Sequence, residues 1–248
     1  MRGMLGSWLL ASLLLWQPGV SAAPPSLQAY TENLPPLNYE QGGQPRGFSV
    51  ELLKLMAAEA GLDLRVQVLP WARAKSLAAQ EPGSLLFTLT RLPEREDQYQ
   101  WVGPVGPRRI QIYKLRRRAE IRASDLPGLA AYRIGVVRES AVARQLLAEG
   151  LDEKRQISWA RDDESNLRML LAGRMEGIAM LDWAALWHLR RLGLPASTLQ
   201  PLFTYSASPD YWFGLHPQSD PELRLKLQSA LDRLKRDGRY DALLRRYL

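Results

Sequence analysis

Cysteine is absent from the 248 residues, and histidine occurs only twice, at His188 and His216. Without cysteine there can be no disulfide framework, thiolate metal site, cysteine nucleophile or lipid-modified N-terminal cysteine. Two histidines make a zinc site a poor fit. The sequence holds neither a glycine-rich dinucleotide fingerprint nor a phosphate-binding P-loop, and it has no G-x-S-x-G nucleophile elbow. Carboxylates are plentiful, yet no spacing singles out a catalytic pair. Beyond the N-terminus there is no hydrophobic run of membrane length, which excludes a multi-pass membrane protein. At 46% hydrophobic and 24% charged, the composition is that of an ordinary folded chain.

The N-terminus reads as an address. Arg2 precedes an apolar stretch from Met4 to Trp16, then a Pro-Gly break and the small residues Val20 to Ala23. A basic start, a short apolar core and a small-residue end describe a secretory signal peptide, with cleavage expected after Ala22. The core is too short for a bilayer, which needs about 20 residues. The mature protein is therefore expected to be exported, soluble and periplasmic.

Strands and helices alternate along the rest. Ser26 to Thr31, Leu64 to Val68 and the apolar run Ser84 to Thr90 read as strands. Helices are expected over Val50 to Ala60, capped by Ser49 and closed by Gly61, and over Trp71 to Gln80. A second series begins with a strand at Tyr132 to Val137 and a helix from Ser140 to Glu149. It continues with a strand near Ile157, a helix from Asp163 to Ala172, the strand Gly177 to Leu181 and a helix over Trp183 to Arg191. After a strand at Tyr211 to Leu215, Asp220-Pro221-Glu222 opens a long helix that Gly238 separates from a last one. Two βα series point to two α/β lobes with parallel-rich sheets covered by helices. The net charge is +7, with basic residues clustered from Arg108 to Arg122. Export argues against nucleic acid as their partner, and a solvated connection between lobes is the expected role.

Five segments, in order, resemble the bacterial periplasmic solute-binding proteins of the polar amino-acid type, family 3. They are LPPLNYEQGGQPRGFSVELLKLMAAEAGL (Leu34 to Leu62), TLTRLPEREDQYQWVGP (Thr88 to Pro104), YRIGVVRESA (Tyr132 to Ala141), LLAGRMEGIAMLD (Leu170 to Asp182) and ALDRLKRDGRYDALLRRYL (Ala230 to Leu248). The resemblance implies a type II two-lobed fold with two hinge crossings and a ligand between the lobes. After the signal peptide (1–22), lobe one would comprise 23–110 and 206–248, and lobe two 111–205. It implies a monomer that needs no cofactor and hands a small polar solute, an amino acid above all, to a membrane ABC permease. Two other functions share the scaffold: a periplasmic dehydratase acting on cyclohexadienyl or arogenate-type substrates, and a sensing module for a membrane receptor.

The same resemblance assigns a site. Arg95 matches the family's carboxylate-binding arginine, a planar fork suited to bidentate contact. Thr90 would add a hydroxyl and an N–H at the strand end, and Thr88, two residues earlier, would share its face. Asp182 matches the ammonium-binding acid, or else it caps the helix that follows. Ser140 and Ala141 stand where a helix N-terminus meets the carboxylate, next to Glu139, where the family often has glycine. Leu34 occupies the place of a stacking aromatic, and Trp71 or Tyr39 could supply that contact instead. Arg73 and Arg91 are further cationic candidates, or surface ion-pair partners.

Overall fold

The computed structural model describes residues 26–138 and 140–247, so the expected signal peptide and Glu139 lie outside the described residues. In chain order the first half carries β1 (Ser26–Thr31), β2 (Tyr39–Gln41), β3 (Gln44–Arg46), α1 (Phe48–Ala60), β4 (Asp63–Val68), α2 (Trp71–Ala78), β5 (Ser84–Thr90) and β6 (Gln100–Leu115). There follow β7 (Ile134–Val137), α3 (Ala141–Ala148), α4 (Glu153–Gln156), β8 (Ile157–Ala160), α5 (Asp163–Leu171), β9 (Gly177–Leu181) and α6 (Asp182–Arg191). The chain closes with β10 (Leu199–Leu215), α7 (Pro221–Arg236) and α8 (Arg239–Tyr247).

Eight strands hydrogen-bond in the order β4-β1-β5-β10-β6-β9-β7-β8. The outer groups, β4-β1-β5 and β9-β7-β8, are parallel within themselves, as their βα connections require. Between them β6 and β10 run antiparallel, and each is long enough to serve both halves. Near its start β6 pairs with the end of β10, which itself pairs with β5; further along, Ile110 to Tyr113 pair with β9. Apolar clusters lie on both faces of each half, as a two-lobed α/β protein requires.

The sequence pattern left these two strands largely unassigned. Gly103, Pro104, Gly106, Pro107 and a pair of arginines do not read as strand. The ladder accommodates them by slipping: its register shifts between Ser208 and Tyr211 and again between Tyr211 and Phe213, opposite Pro107 and Pro104. Pro104 and Pro107, which lack an N–H, thus fall where the register is broken. The basic segment is therefore strand as far as Leu115, and only its second part is a loop.

Two further expectations are corrected. The first helix begins at Phe48, and its N-cap is Gly47 rather than Ser49. Gly47 has φ of 115°, and a Cβ there would lie 2.4 Å from the Leu37 carbonyl oxygen, so glycine alone fits. Ser49 is buried one residue inside the helix. Thr88 does not share a face with Thr90. It has φ of 64°, the one positive value outside glycine among the described residues, at a register shift where β10 pairs Leu89 and then Phe87. The bulge breaks the alternation on which the expectation rested.

The halves are also joined by side chains. Trp183, at the start of α6, is 1% exposed within the core of the first half. Its ring centroid lies 5.1 Å from that of Phe48, and its Nε1–H donates to the Pro107 carbonyl at 3.0 Å. One turn on, Trp187 stacks on Tyr247 and packs 5.5 Å from Tyr39. Trp183→Ala is expected to cost about 3–5 kcal/mol, measured by denaturant unfolding; a loss below 1 kcal/mol would show that the ring is not an anchor.

Asp163, at the start of α5, offers a pH-dependent test. Burial, reinforced by the Asp162 carboxylate, pushes its carboxyl up to about 6 from 3.8. The charged form is disfavoured only in the folded protein, so the penalty develops as pH rises from about 4 and is complete above 6. Asp163→Asn should raise the melting temperature at pH 7.5 and leave it unchanged near pH 4; an equal effect at both would refute this assignment.

Candidate functional site

Ligand sites of α/β sheets form beyond the carboxyl ends of the strands. In the first half, the ends of β1 and β4 frame a cavity of about 510 Å³ lined by Glu32, Asn33, Glu40, Leu69, Pro70 and Trp71. Trp71, the first residue of α2, is partly buried and also packs against the apolar cluster on its side of the sheet. Glu32 follows the last residue of β1. Burial raises its carboxyl above the usual range, and it has no hydrogen bond or ion pair to its side chain among the described residues.

A buried relay holds Glu32 in place. Thr88 Oγ1 donates to Asn38 Oδ1 at 2.6 Å, and Asn38 Nδ2 donates to the Glu32 carbonyl oxygen. Asn38 is fully buried. Thr88 thus directs its hydroxyl into the loop rather than beside Thr90. Leu34 closes the same loop through a bridge with Asn38 and packs against the first-half core. Thr90 ends β5, partly buried and paired with Tyr211.

Arg95 lies in a short 3₁₀ turn, Pro93–Gln98, that follows β5. It is partly buried, and its guanidinium makes no hydrogen bond or ion pair among the described residues. Arg91 is otherwise engaged: its Nε donates to Glu96 Oε2 at 2.8 Å, and its guanidinium lies 4.7 Å from the centre of the Trp212 ring. Arg73 is exposed on α2. Tyr39 packs on Trp187, as described above.

From the second half comes Asp182, which is the first residue of α6 and follows the strand Gly177–Leu181. Oδ1 accepts from the Trp183 backbone N–H at 2.8 Å and Oδ2 from Arg109 Nε at 3.0 Å. Burial raises the carboxyl in spite of both contacts. Helix α3 presents its N-terminus after β7: Ser140 is the N-cap and accepts from the Ala143 N–H at 3.1 Å, and Ala141 is the first helical residue.

Tyr211, at the strand crossing, links the two sets of acids. Burial pushes its phenol up to about 12; the Arg108 guanidinium acts to lower it, while Glu32 and Asp182 both act to raise it. Tyr113 is held near 12 by burial, with Asp182 raising it and Arg109 opposing. One phenol therefore senses a carboxylate from each half.

Sequence reasoning missed Glu32, Glu40, Asn38, Tyr211, Arg108 and Arg109. Glu32 could have been found from its place, a carboxylate directly after the strand Ser26–Thr31, since α/β sheets bind ligands beyond their strand ends. The two arginines were hidden because their strand was read as a connection. Among the described residues no group of three or more His, Asp or Glu side chains could hold a metal ion. No described helix is long and apolar enough to cross a membrane.

Comparison with known proteins agrees with this architecture. A curated relative from Bacillus subtilis (strain 168), the probable amino-acid-binding protein YxeM, is 23% identical over 216 residues, 86% of this chain and 79% of the relative. Among solved structures, an ancestral cationic amino acid solute-binding protein superposes with a TM-score of 0.74 at 19% identity, covering 90% of this chain and 95% of the other. A histidine kinase sensor domain with similarity to periplasmic binding proteins gives 0.69 at 20% identity, covering 90% and 96%. The family model for bacterial extracellular solute-binding proteins, family 3, matches residues 28–248, and the chain belongs to that family.

Proposed function

We propose that this protein captures a free amino acid with a cationic side chain between its lobes and delivers it to an ABC permease in the cell envelope. One observation carries the reading: at the same edge of the first-half sheet stand one guanidinium and one carboxyl, both partly buried and neither paired among the described residues. Partly desolvated charges without partners are costly, and a ligand carrying the opposite charges removes the cost.

The ligand's carboxylate goes to Arg95, with Thr90 and the N-terminus of α3 as further donors. Ser140 accepts a bond in its capping role and keeps its own hydroxyl proton to donate. The α-ammonium goes to Asp182. A carboxylate has about four acceptor positions, and Asp182 uses two, so Arg109 can remain while a second cation arrives. The cationic side chain lies along Trp71 towards Glu32 and Glu40. Thr88 and Leu34 act by fixing the loop that carries Glu32. Neighbours whose names state arginine or cationic amino acids as ligands support the assignment.

On this reading the lobes are 23–110 with 206–248, and 111–205, and they close by bending β6 and β10 near the irregular ladder. The protein is a monomeric periplasmic carrier, exported by its N-terminal segment, that binds without turnover.

A thermal-shift panel of the common amino acids checks the proposal. Arginine or lysine should stabilise the protein, by about 2.7 kcal/mol at a hundredfold excess over Kd; no stabiliser in the panel would refute amino-acid capture. Arg95→Ala should weaken every responding ligand by roughly 30-fold or more, the effect of losing about 2 kcal/mol from a charge pair, with the apo melting temperature unchanged. Glu32→Gln should separate ligand classes, weakening arginine and lysine at least tenfold and glutamine little. Equal losses for arginine and glutamine would keep amino-acid binding and remove the cationic assignment.

A further inference from the structure

A second cavity, of about 670 Å³, opens at the far end of the second half. Lys114, Arg116, Ile121, Arg122, Ser124 and Gln200 line it, and no acidic residue does. It is separate from the cleft. Along β6, Ile110 pairs with Leu181 beside Asp182, whereas Leu115 pairs with Leu199. Five residues of strand put roughly 17 Å between them.

Lys114 is 5% exposed. Its Nζ donates to the carbonyl oxygens of Arg118, at 3.0 Å, and Ile121, at 2.8 Å. An ammonium has three protons to donate, so one N–H remains on a buried cation that lines an open pocket. Two bonds to carbonyls are what a lysine stapling the 116–121 turn would make. Stapling does not explain the company it keeps. Arg116 uses Nε on the Ser197 carbonyl at 2.9 Å, leaving its terminal nitrogens. The Arg122 guanidinium has no hydrogen bond or ion pair among the described residues. Glu120 and Asp125 lie nearby but do not line the cavity: Glu120 pairs with Arg118 and also feels the charge of Lys114, and Asp125 Oδ1 accepts from the Gly128 N–H at 2.9 Å.

We propose that this cavity is an oxyanion-binding site for a phosphate group, with Lys114, Arg116 and Arg122 as its cations and Ser124 as a neutral donor. Three cations around one hollow repel each other, and a dianion with several acceptor oxygens removes the repulsion while satisfying the free N–H groups. The same chemistry is presented by free phosphate and by the head group of an anionic phospholipid.

The test titrates the purified protein with inorganic phosphate against chloride at equal ionic strength, following melting temperature and the heat of binding. A parallel arm measures co-sedimentation with vesicles of phosphatidylglycerol against phosphatidylcholine. Wild type should respond to phosphate, to phosphatidylglycerol vesicles, or to both, and the responding arm identifies the source. Arg116→Gln with Arg122→Gln leaves the buried lysine in place. It should weaken the response at least about tenfold while the melting temperature in chloride and the arginine response at the cleft stay the same. No response beyond chloride and phosphatidylcholine in wild type, or an undiminished response in the double variant, overturns the proposal. Both outcomes can be told from a failure at the cleft, because the amino-acid titration is read on the same samples.

Discussion

The antiparallel ladder between β6 and β10 is the constraint from which the rest follows. Each parallel group of strands has an inner edge, and these two strands cover both inner edges at once, leaving β4 and β8 as the edges of the sheet. They run from Gln100 to Leu115 and from Leu199 to Leu215, and pair over most of that length. A regular ladder of this size would twist uniformly and join the halves as one stiff ribbon. Four register shifts prevent that, and two of them face Pro107 and Pro104. Hydrogen bonding is thus weakest at the crossing, where Tyr211, Arg108 and Arg109 lie. The geometry that connects the halves also brings charged side chains from both to one place.

Charge at the crossing is arranged unequally. Asp182 has a cationic neighbour in Arg109 and still has its carboxyl raised by burial. Glu32 has the same burial effect with no cation to offset it. Arg95 is the reverse case, a guanidinium without an acid, while the adjacent Arg91 is fully occupied by Glu96 and Trp212. Surface arginines usually find an acid at little net gain. Here the turn carries Glu94, Glu96 and Asp97, of which Glu96 pairs with Arg91 and none, among the described residues, pairs with Arg95, so Arg95 keeps its donors free.

How much of this was legible in the sequence depends on how local the cause was. Helices α2, α5 and α7 were readable because apolar spacing and end residues act within a few positions, as with Asp220-Pro221 opening α7. The parallel strands were readable from short apolar runs. The long strands were not, since their bonding compensates for prolines and glycines only through partners a hundred residues away. Thr88 shows the same limit at one residue. Strand alternation holds unless a bulge intervenes, and that bulge is fixed by the pairing of β5 with β10 and by Asn38. Arg95 and Asp182 were singled out by resemblance alone, whereas Arg109, which hydrogen-bonds to Asp182, and Tyr211, which pairs with Thr90, came only with the fold.

The net charge of +7 would by itself suggest an anionic ligand. Position matters more than the sum. A group of second-half cations, Lys114, Arg116 and Arg122, lines the cavity at its far tip, whereas Glu32 and Glu40 line the first-half cavity and Asp182 stands beside Arg109 near the crossing. Separation of roughly 17 Å along the strand is about twice the screening length of 8 Å at physiological ionic strength. The acids of the crossing are therefore felt by a small solute with little interference from the tip. At the proposed site, a ligand that carried only negative charge would meet Arg95 favourably and then face two carboxylates beside Trp71. On the proposed reading, one that carries a carboxylate at one end and a cation at the other matches both, and its length, rather than the protein's overall charge, decides the fit.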